Sequence, residues 1–198
     1  MSKRIGIMGG TFDPIHFGHL VTAEAAWQQF ELDQVVFVPS GNPPHKVSRV
    51  ISSAEHRLTM TLMATVSNPH FSVSRVEIDR SGFSYAYDTV CAFAELYGAD
   101  AELFFITGAD ALLEIANWVK AEQLIEKCRF IGATRPGWDI GDFAKMPQRF
   151  RERAVLMQVP ALAISSSDIR ARVKNGQTIR YLLPETVEKY IEKQGLYL

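Results

Sequence analysis

The sequence predicts an α/β protein, with an open, mostly parallel sheet that carries helices on both faces. Short apolar segments rich in β-branched residues alternate with longer helical segments along the chain, which is the pattern of repeated βαβ units. Hydrophobic residues make up 47% and charged residues 22% of the 198 positions, as in ordinary globular proteins. We find no linker in the sequence. We therefore expect a single domain over residues 1–198, with residues 160–198 as a helical C-terminal portion.

The first half of the chain predicts three strands, each followed by a helix. Two adjacent glycines end the first strand and a proline ends the second. Arg75, Glu77 and Asp79 alternate at the end of the third strand and are expected to face outward. In order, the elements are a strand at Lys3–Met8, a helix at Leu20–Phe30, a strand at Gln34–Val38, a helix from Ser52 or Ser53 to about Ser67, a strand at Phe71–Ile78 and a helix at Ala86–Tyr97.

The second half predicts three more strands, and its last two helices have clear end signals. Serines precede one of these helices as candidate N-caps, and Gly176 follows it. Pro184 opens the other, and Gly195 follows it. Residues 136–153 have the least regular pattern and are expected to form a surface excursion. In order, the elements are a strand at Glu102–Thr107, two short helices separated near Trp118, strands at Arg129–Thr134 and Ala154–Val159, and helices at Ser166–Lys174 and Pro184–Gln194.

Charge and cysteine usage argue against several classes of protein. The 21 basic and 22 acidic residues give a net charge of −1, so we expect no nucleic-acid partner. From Lys145 onward, basic residues outnumber acidic ones, which could put positive charge beside a site for an anionic ligand. No apolar run approaches the ~18 residues of a membrane helix, and we find no secretory signal. Cys91 and Cys128 have apolar sequence neighbours, so we expect free thiols and a cytoplasmic location without a membrane partner.

The densest group of chemically informative residues follows the first strand, from Gly9 to His19. Two adjacent glycines let the backbone approach a ligand closely. A helix begins near Gly18, so its free N–H groups and its dipole point at the same place. His16 and His19 are three residues apart and lie on one face of that helix start. The loop therefore predicts a pocket for a polyanionic phosphate, with two imidazoles facing it.

Three other interpretations of this loop have less support. A dinucleotide-binding fingerprint needs G-x-G-x-x-G and an acidic residue after the second strand, and the sequence has neither. A P-loop needs Gly-Lys followed by Ser or Thr, and the dipeptide Gly-Lys is absent. A metal site could use the two histidines with Asp13 and also His45, but no cysteine pair or HExxH segment supports it. We therefore expect no metal held by the protein.

Two separated motifs resemble the signatures of the class-I nucleotidylyltransferase superfamily. Residues 10–19, Gly-Thr-Phe-Asp-Pro-Ile-His-Phe-Gly-His, resemble its H-x-G-H element, and residues 164–170, Ile-Ser-Ser-Ser-Asp-Ile-Arg, resemble its I-S-S-T-x-I-R element. The resemblance extends from Ile5 to Tyr197. Further segments resemble the bacterial nicotinate mononucleotide adenylyltransferases, namely Pro43–Lys46, Ser84–Thr89, Thr107–Asp110, Asn117–Trp118, Ala133–Gly137 and Tyr181–Pro184.

The resemblance implies a Rossmann-like fold and transfer of AMP from ATP to nicotinate mononucleotide, giving deamido-NAD and pyrophosphate in NAD biosynthesis. It also implies Mg²⁺ that enters with ATP. Ala86 stands where the family usually has threonine and Val119 where it often has an aromatic, both in the part associated with the nicotinate ring. Nicotinamide mononucleotide and phosphopantetheine therefore stay as alternative acceptors, and an ATP-binding sensor without catalysis is a third alternative. Whether the chain forms a homo-oligomer is left open.

Adenylyl transfer needs positioned, charge-neutralising groups rather than a covalent nucleophile, and the candidate residues follow from that requirement. The predicted catalytic residues are His16, His19, Lys46 and Arg170. The predicted ATP-binding residues are Gly9, Gly10, Thr11, Phe12, His16, His19, Gly108, Asp110, Ser165, Ser166, Ser167 and Arg170. The predicted substrate-binding residues are Lys46, Ser84, Tyr85, Trp118 and Arg135.

Several of these candidates also have a structural interpretation. Lys46 alone would be a solvated surface lysine. Asp110 could bind ribose hydroxyls or cap a helix, and Trp118 could stack on the pyridine ring or fill the core. Asp13 precedes a proline, which favours a turn, so it could hold the loop instead of taking part in catalysis.

The arginines carry similar alternatives. Arg57 and Arg135 are candidates either for phosphate binding or for fixing a loop. Arg170 could pair with a surface carboxylate instead of a phosphate, and Arg172 is expected to be an exposed helix residue.

Overall fold

A computed structural model describes residues 2–44, 51–134, 140–160 and 162–198. Within these residues, six strands form one sheet, and every neighbouring pair is parallel. The strands are β1 (Arg4–Gly10), β2 (Gln34–Pro39), β3 (Phe71–Val73), β4 (Glu102–Gly108), β5 (Arg129–Thr134) and β6 (Ala154–Gln158). Their order across the sheet is β3-β2-β1-β4-β5-β6. The predicted α/β class is thus confirmed, with a sheet that is parallel throughout.

Helices connect these strands and follow the last one. They are α1 (Phe17–Gln29), α2 (Ala54–Thr65), α3 (Ala86–Tyr97), α4 (Ala109–Leu113), α5 (Ala121–Lys127), α6 (Ile140–Ala144), α7 (Gln148–Arg151), α8 (Ser166–Lys174) and α9 (Glu185–Gln194), with a short 3₁₀ helix at Ile115–Asn117. Each of them in the described residues falls short of the length and apolar character needed to cross a membrane.

The helices cover both faces of the sheet, as predicted. On one face, Met8 and Phe37 pack in a core cluster with buried residues of α1, α2, α8 and α9. On the other face, Ile7 and Val36 pack with buried residues of α3, α4 and α5. Neighbouring residues of one strand join different clusters because successive side chains of a strand point to opposite faces. Burial on both faces explains why the strand segments are almost wholly apolar.

The third strand is shorter than predicted, and its continuation turns inward. Pairing ends at Val73 instead of Ile78, because the N–H groups of Ile78 and Asp79 both donate to the carbonyl oxygen of Arg75, over 2.8 and 2.9 Å. Glu77 is only 7% exposed, so the prediction that it faces outward is wrong. The turn replaces the alternation of a strand, and it carries this side chain under the surface.

Of the segment predicted as an irregular surface excursion, residues 136–139 lie outside the described residues, and residues 140–153 are partly helical. Two short helices, α6 and α7, lie within it. Met146 and Phe150 are buried in the core cluster that contains α3 and α5, and this burial holds the segment against the sheet. These helices are too short to produce a readable periodicity, so packing rather than local sequence preference stabilises them.

The C-terminal portion packs against α2. Thr186 donates from its hydroxyl to the carbonyl oxygen of Met63 over 3.3 Å, and Nδ1 of His56 lies 2.9 Å from the hydroxyl of Tyr190. Val187 is fully buried in the same core cluster as α1 and α2. This packing places α8 and α9 beside the loop that follows β1.

Candidate active site

The predicted site lies at the carboxyl edge of the sheet, where β1 lies between β2 and β4. The chain leaves β1 to form α1 on one face, whereas it leaves β4 to form α4 on the other. A crevice opens between the two exits, and parallel sheets bind ligands at such a switch point. Two cavities flank the end of β1, and Thr107 of β4 lines both.

The first, which we call the histidine cavity, has a volume of about 270 Å³. Two helices begin at it: His16 is the N-cap of α1, and Ser165 is the N-cap of α8. Helix N-termini present unpaired N–H groups and positive dipole ends, so two of them in one cavity favour an anion. The lining includes His16, Gly18, His19, Thr107, Gly108, Ser165 and Ser166.

The two histidines hold each other in a fixed arrangement. The backbone N–H of His16 donates to Nδ1 of His19 over 3.2 Å, and the two ring centroids lie 3.8 Å apart. Phe12 packs against the ring of His19 with centroids 5.1 Å apart. Because Nδ1 accepts a hydrogen bond, a neutral His19 carries its proton on Nε2. His19 therefore offers an Nε2–H donor beside the helix N-termini.

The backbone between β1 and α1 is held by side chains from distant parts of the chain. The carbonyl oxygen of Thr11 accepts from Nη1 of Arg57 over 2.8 Å. That of Asp13 accepts from Nη1 of Arg170 over 2.7 Å, and that of Pro14 accepts from the hydroxyl of Ser166 over 2.9 Å. The loop that leads into His16 is thus fixed before any ligand arrives.

The second signature motif forms the start of α8 and meets this loop. The Ser165 hydroxyl caps the helix by accepting from the N–H of Asp168 over 3.1 Å. Arg170 also donates to the hydroxyl of Ser167 over 3.3 Å. Among the described residues, the hydrogen-bond partners of Arg170 are therefore a loop carbonyl and a hydroxyl rather than a surface carboxylate. Arg172 pairs with Asp168 on the exposed side of the helix, as expected.

The second cavity, which we call the tryptophan cavity, has a volume of about 590 Å³. Gly9, Gly10 and Thr11 line this cavity, although the sequence predicts them as ATP ligands. The lining also includes Ser40, Pro43, Pro44, Glu77, Ser84, Tyr85, Ala86, Phe105, Asn117, Trp118 and Val119. Apart from Glu77 its described lining carries no charged side chain, so its walls suit the ring of a ligand better than a polyphosphate.

Trp118 lies between the core and the tryptophan cavity. Its ring packs edge-on against Phe105 and Phe130, with centroids 5.7 and 6.4 Å apart, and it also lines the tryptophan cavity. The core contacts fix the ring orientation. An aromatic surface held in this way can accept a stacked ring without losing side-chain freedom.

Ser84 holds a loop beside this cavity. Its hydroxyl oxygen accepts from the backbone N–H groups of Gly41 and Asn42, over 3.0 and 3.2 Å. A Cβ at Gly41 would lie 2.1 Å from the carbonyl oxygen of Glu77, so only glycine fits there. Ser84 thereby shapes the wall of the cavity through the backbone that follows β2.

Glu77 is a residue of the site that the sequence interpretation missed. Its Oε1 accepts from the hydroxyl of Thr89 over 2.6 Å. Burial raises the pKa of Glu77, and hydrogen bonds from Thr89 and Ser84 oppose that rise. No feature of the local sequence indicated burial, because the alternation around it predicted an outward position.

Arg57 is a fixing group rather than a phosphate ligand in this structure. It is 1% exposed, and its guanidinium donates to the carbonyl oxygens of Thr11, Gly41 and Ser52, over 2.8, 3.3 and 3.0 Å. Burial lowers its pKa, and the charge of Asp13 opposes that decrease. Arg57 thus ties the loop after β1 to the loop after β2.

The remaining candidates lie at the edge of the site or outside the described residues. Gly108 is the N-cap of α4, so the alternative of Asp110 as N-cap is wrong; Asp110 is exposed in the first turn. Phe12 is buried behind His19 and lines neither cavity. Lys46, His45 and Arg135 lie outside the described residues. Among the residues that the structure describes, we find no group of three or more metal-ligating side chains.

Comparisons of the sequence with known proteins give consistent results. The cytidylyltransferase-like family model matches residues 7–172. A relative from Moorella thermoacetica, named "Probable nicotinate-nucleotide adenylyltransferase", is 58% identical over 98% of this chain and 91% of its own. A relative of the same name from Thermoanaerobacter is 53% identical over 98% of this chain and 94% of its own.

A solved structure supports the fold. Plasmodium falciparum nicotinic acid mononucleotide adenylyltransferase, complexed with NaAD, superposes with a TM-score of 0.80 at 23% identity. The superposition covers 98% of this chain and 97% of the other.

Proposed function

The chain belongs to the cytidylyltransferase-like family and, within it, to the nicotinate-nucleotide adenylyltransferases, and from this premise we propose that it joins ATP and nicotinate mononucleotide into deamido-NAD, with release of pyrophosphate. The chain is therefore a nucleotidyltransferase of NAD biosynthesis. One observation carries the detailed proposal: a histidine cavity and a tryptophan cavity share Thr107 across the end of β1.

In the proposal, the histidine cavity holds the phosphates of ATP. The N-termini of α1 and α8 and the Nε2–H of His19 supply hydrogen-bond donors there. An oxygen of the acceptor phosphate attacks the α-phosphorus of ATP. The bond from that phosphorus to the oxygen bridging to the β-phosphate breaks, and pyrophosphate leaves with the electron pair. Donors fixed before the reaction stabilise the charge that grows on the leaving group.

The tryptophan cavity takes the nicotinate ring in this proposal. Trp118 and Tyr85 supply aromatic surfaces, and α3 begins at the cavity with Tyr85 as its N-cap. Tyr85 provides no side-chain cap, so first-turn N–H groups of α3 are available to a ring carboxylate. The helix dipole and charge-assisted hydrogen bonds favour a carboxylate there over a neutral amide.

Mg²⁺ entering with ATP would neutralise phosphate charge when bound. The described residues fit a cation that phosphate oxygens and water hold, because the Asp13 carboxylate is 2% exposed and sealed from both cavities. We also propose that residues 1–198 form one domain and act in the cytoplasm without a nucleic-acid partner.

Pyrophosphate release tests the proposal. The chain is assayed with ATP and Mg²⁺ and with nicotinate mononucleotide, nicotinamide mononucleotide or phosphopantetheine, side by side. We expect the nicotinate form to be consumed fastest. Equal or reversed rates would show that Ala86 and Val119 have changed the ring cavity. ATP binding without release from any acceptor would favour a sensor instead.

A further inference from the structure

Asp13 lies in the loop after β1, and its side chain is held by a residue 184 positions away. The hydroxyl of Tyr197 donates to Oδ1 of Asp13 over 2.7 Å. Asp13 is buried, and its Oδ2 has no hydrogen-bond partner among the described residues. Tyr197 is therefore the described hydrogen-bond donor to this carboxylate. Removal of the phenolic hydroxyl would leave both carboxylate oxygens buried without a donor there.

Tyr197 reaches the loop by an uncommon backbone conformation. After α9, Gly195 turns the chain with a φ of 61°, and the N–H of Leu196 donates to the carbonyl oxygen of Ile191 over 3.1 Å. Tyr197 itself has a φ of 68°, which few residues other than glycine adopt. Such a conformation persists only where the surrounding contacts impose it, and these conformations cluster at functional sites. Here it points the ring inward, against the core cluster that contains α1.

The surroundings favour the protonated Tyr197 hydroxyl as a donor and place cations near Asp13. Burial raises the pKa of the Tyr197 phenol, so the hydroxyl stays protonated and donates. Arg57 lies close enough to Asp13 for the two charges to attract each other, and Arg170 binds the Asp13 carbonyl oxygen. The carboxylate thus lies among cationic side chains that also hold the loop backbone.

We infer that Tyr197 is a positioning residue for the adenylyl transfer proposed above: by fixing the Asp13 side chain, it sets where the rings of His16 and His19 stand. His16 follows the held backbone by two residues, and its N–H is the donor to Nδ1 of His19. A small displacement of this loop would misplace both rings. Reacting groups that lie about 1 Å out of place can lose about two orders of magnitude in rate.

The test compares two identical chemical changes in the same C-terminal portion. Tyr197→Phe keeps the ring and removes the donor to Asp13. Tyr190→Phe is the matched control, because its hydroxyl bonds to His56 over 2.9 Å, away from both cavities. We expect Tyr197→Phe to lower kcat about tenfold, with KM for ATP changed less than about threefold, since the effect concerns alignment in the transition state. Tyr190→Phe should keep kcat within about twofold.

A second pair of measurements tests the route of the effect. Amide hydrogen exchange over residues 11–19 should quicken in Tyr197→Phe and not in Tyr190→Phe. Asp13→Ala combined with Tyr197→Phe should lower kcat little further than Asp13→Ala alone, because both changes remove the same hydrogen bond.

These outcomes decide the inference separately from the proposed function. Faster exchange with unchanged kcat would make the contact merely structural and overturn the inference. Unchanged exchange, additive losses in the double variant, or an equal loss in Tyr190→Phe would also overturn it. Absence of pyrophosphate release from the unmodified chain would instead overturn the proposed function, and the exchange comparison would still show whether Tyr197 holds the loop.

Discussion

The backbone N–H of His16 and Nδ1 of His19 lie 3.2 Å apart, and this one hydrogen bond serves two purposes. It satisfies a donor at the start of α1, as in a capping box. It also assigns the proton of a neutral His19 to Nε2. The same contact therefore links the stability of the helix start to the donor that the proposed reaction uses.

His19→Ala removes that donor. We expect kcat to fall by ~10²–10³, the usual loss for one preorganised donor to developing charge. Binding of ATP should weaken less, because the donor matters most in the transition state. Steady-state kinetics and calorimetry with ATP measure the two effects. His70→Ala is the control, since His70 stacks on Trp27 and lines neither cavity. A near-normal kcat in His19→Ala would exclude this residue from the mechanism.

Arg170 should show a graded response to substitution. Arg170→Ala loses the bonds to the Asp13 carbonyl oxygen and the Ser167 hydroxyl. We expect kcat to fall strongly, and Arg170→Lys to restore it only in part, because an ammonium lacks the bidentate geometry of a guanidinium. Arg172→Ala, which breaks an exposed ion pair with Asp168, should have a mild effect. Equal kinetics for the two alanine variants would contradict the prediction.

Arg57→Met tests whether Arg57 stabilises the loops that follow β1 and β2. The change leaves three partly buried carbonyl oxygens without the Arg57 donor and removes the cation near Asp13. We expect the free energy of unfolding, measured in urea, to drop by about 3–5 kcal/mol. Arg75→Met is the control, because Arg75 is an exposed arginine with two carboxylate partners, and little change is expected. Similar stability of both variants would show that the loops do not depend on Arg57.

Glu77→Gln should give a stability difference that depends on pH. Burial raises the pKa of Glu77 above its ordinary value of 4.5, so the folded chain holds this proton more tightly than the unfolded chain. The resulting decrease in the free energy of unfolding is absent below the unfolded pKa. It grows as pH rises above about 4.5 and is complete above the folded pKa. The variant should therefore gain stability over the wild type as pH rises towards neutrality. Thermal unfolding from pH 4 to 8 measures this, and a constant difference would refute it.

Metal content provides a further check on the histidines. We expect extensively dialysed protein to carry no stoichiometric zinc, because the rings of His16 and His19 pack against each other at an angle of 32° and converge with no third metal-ligating side chain in the described residues. Elemental analysis measures this directly. If the unmodified protein carries one zinc per chain and the His16→Ala variant carries none, these rings bind a metal ion and not a phosphate.

The sequence predicts the sheet and both signature segments well because their signals are local. A short apolar run that glycine or proline ends indicates a buried strand wherever it occurs. The spacing of His16 and His19 places both side chains on one face of the helix start. Those elements lie where we expected them, with boundaries shifted by a few residues at most for β1, β2 and β4. Their tertiary environment did not need to be known.

Long-range contacts could not be predicted in this way. Glu77 is buried because a turn replaces the strand, and the turn depends on packing against Gly41. Arg57 and Ser84 hold loops through backbone groups that no side-chain pattern reveals. The bond from Tyr197 to Asp13 joins residues 184 positions apart, beyond the reach of any periodicity.

The anchoring of the loop after β1 has a consequence for biosynthesis. Residues 11–14 leave the ribosome early, but the side chains that hold them belong to Arg57, Ser166, Arg170 and Tyr197. Translation runs at about 5–20 residues per second, so Tyr197 is added on the order of ten seconds after the loop. A nascent chain can form β1 and α1 during that time without a finished phosphate site. The inferred alignment of His16 and His19 is thus completed only after the polypeptide has been made past residue 197.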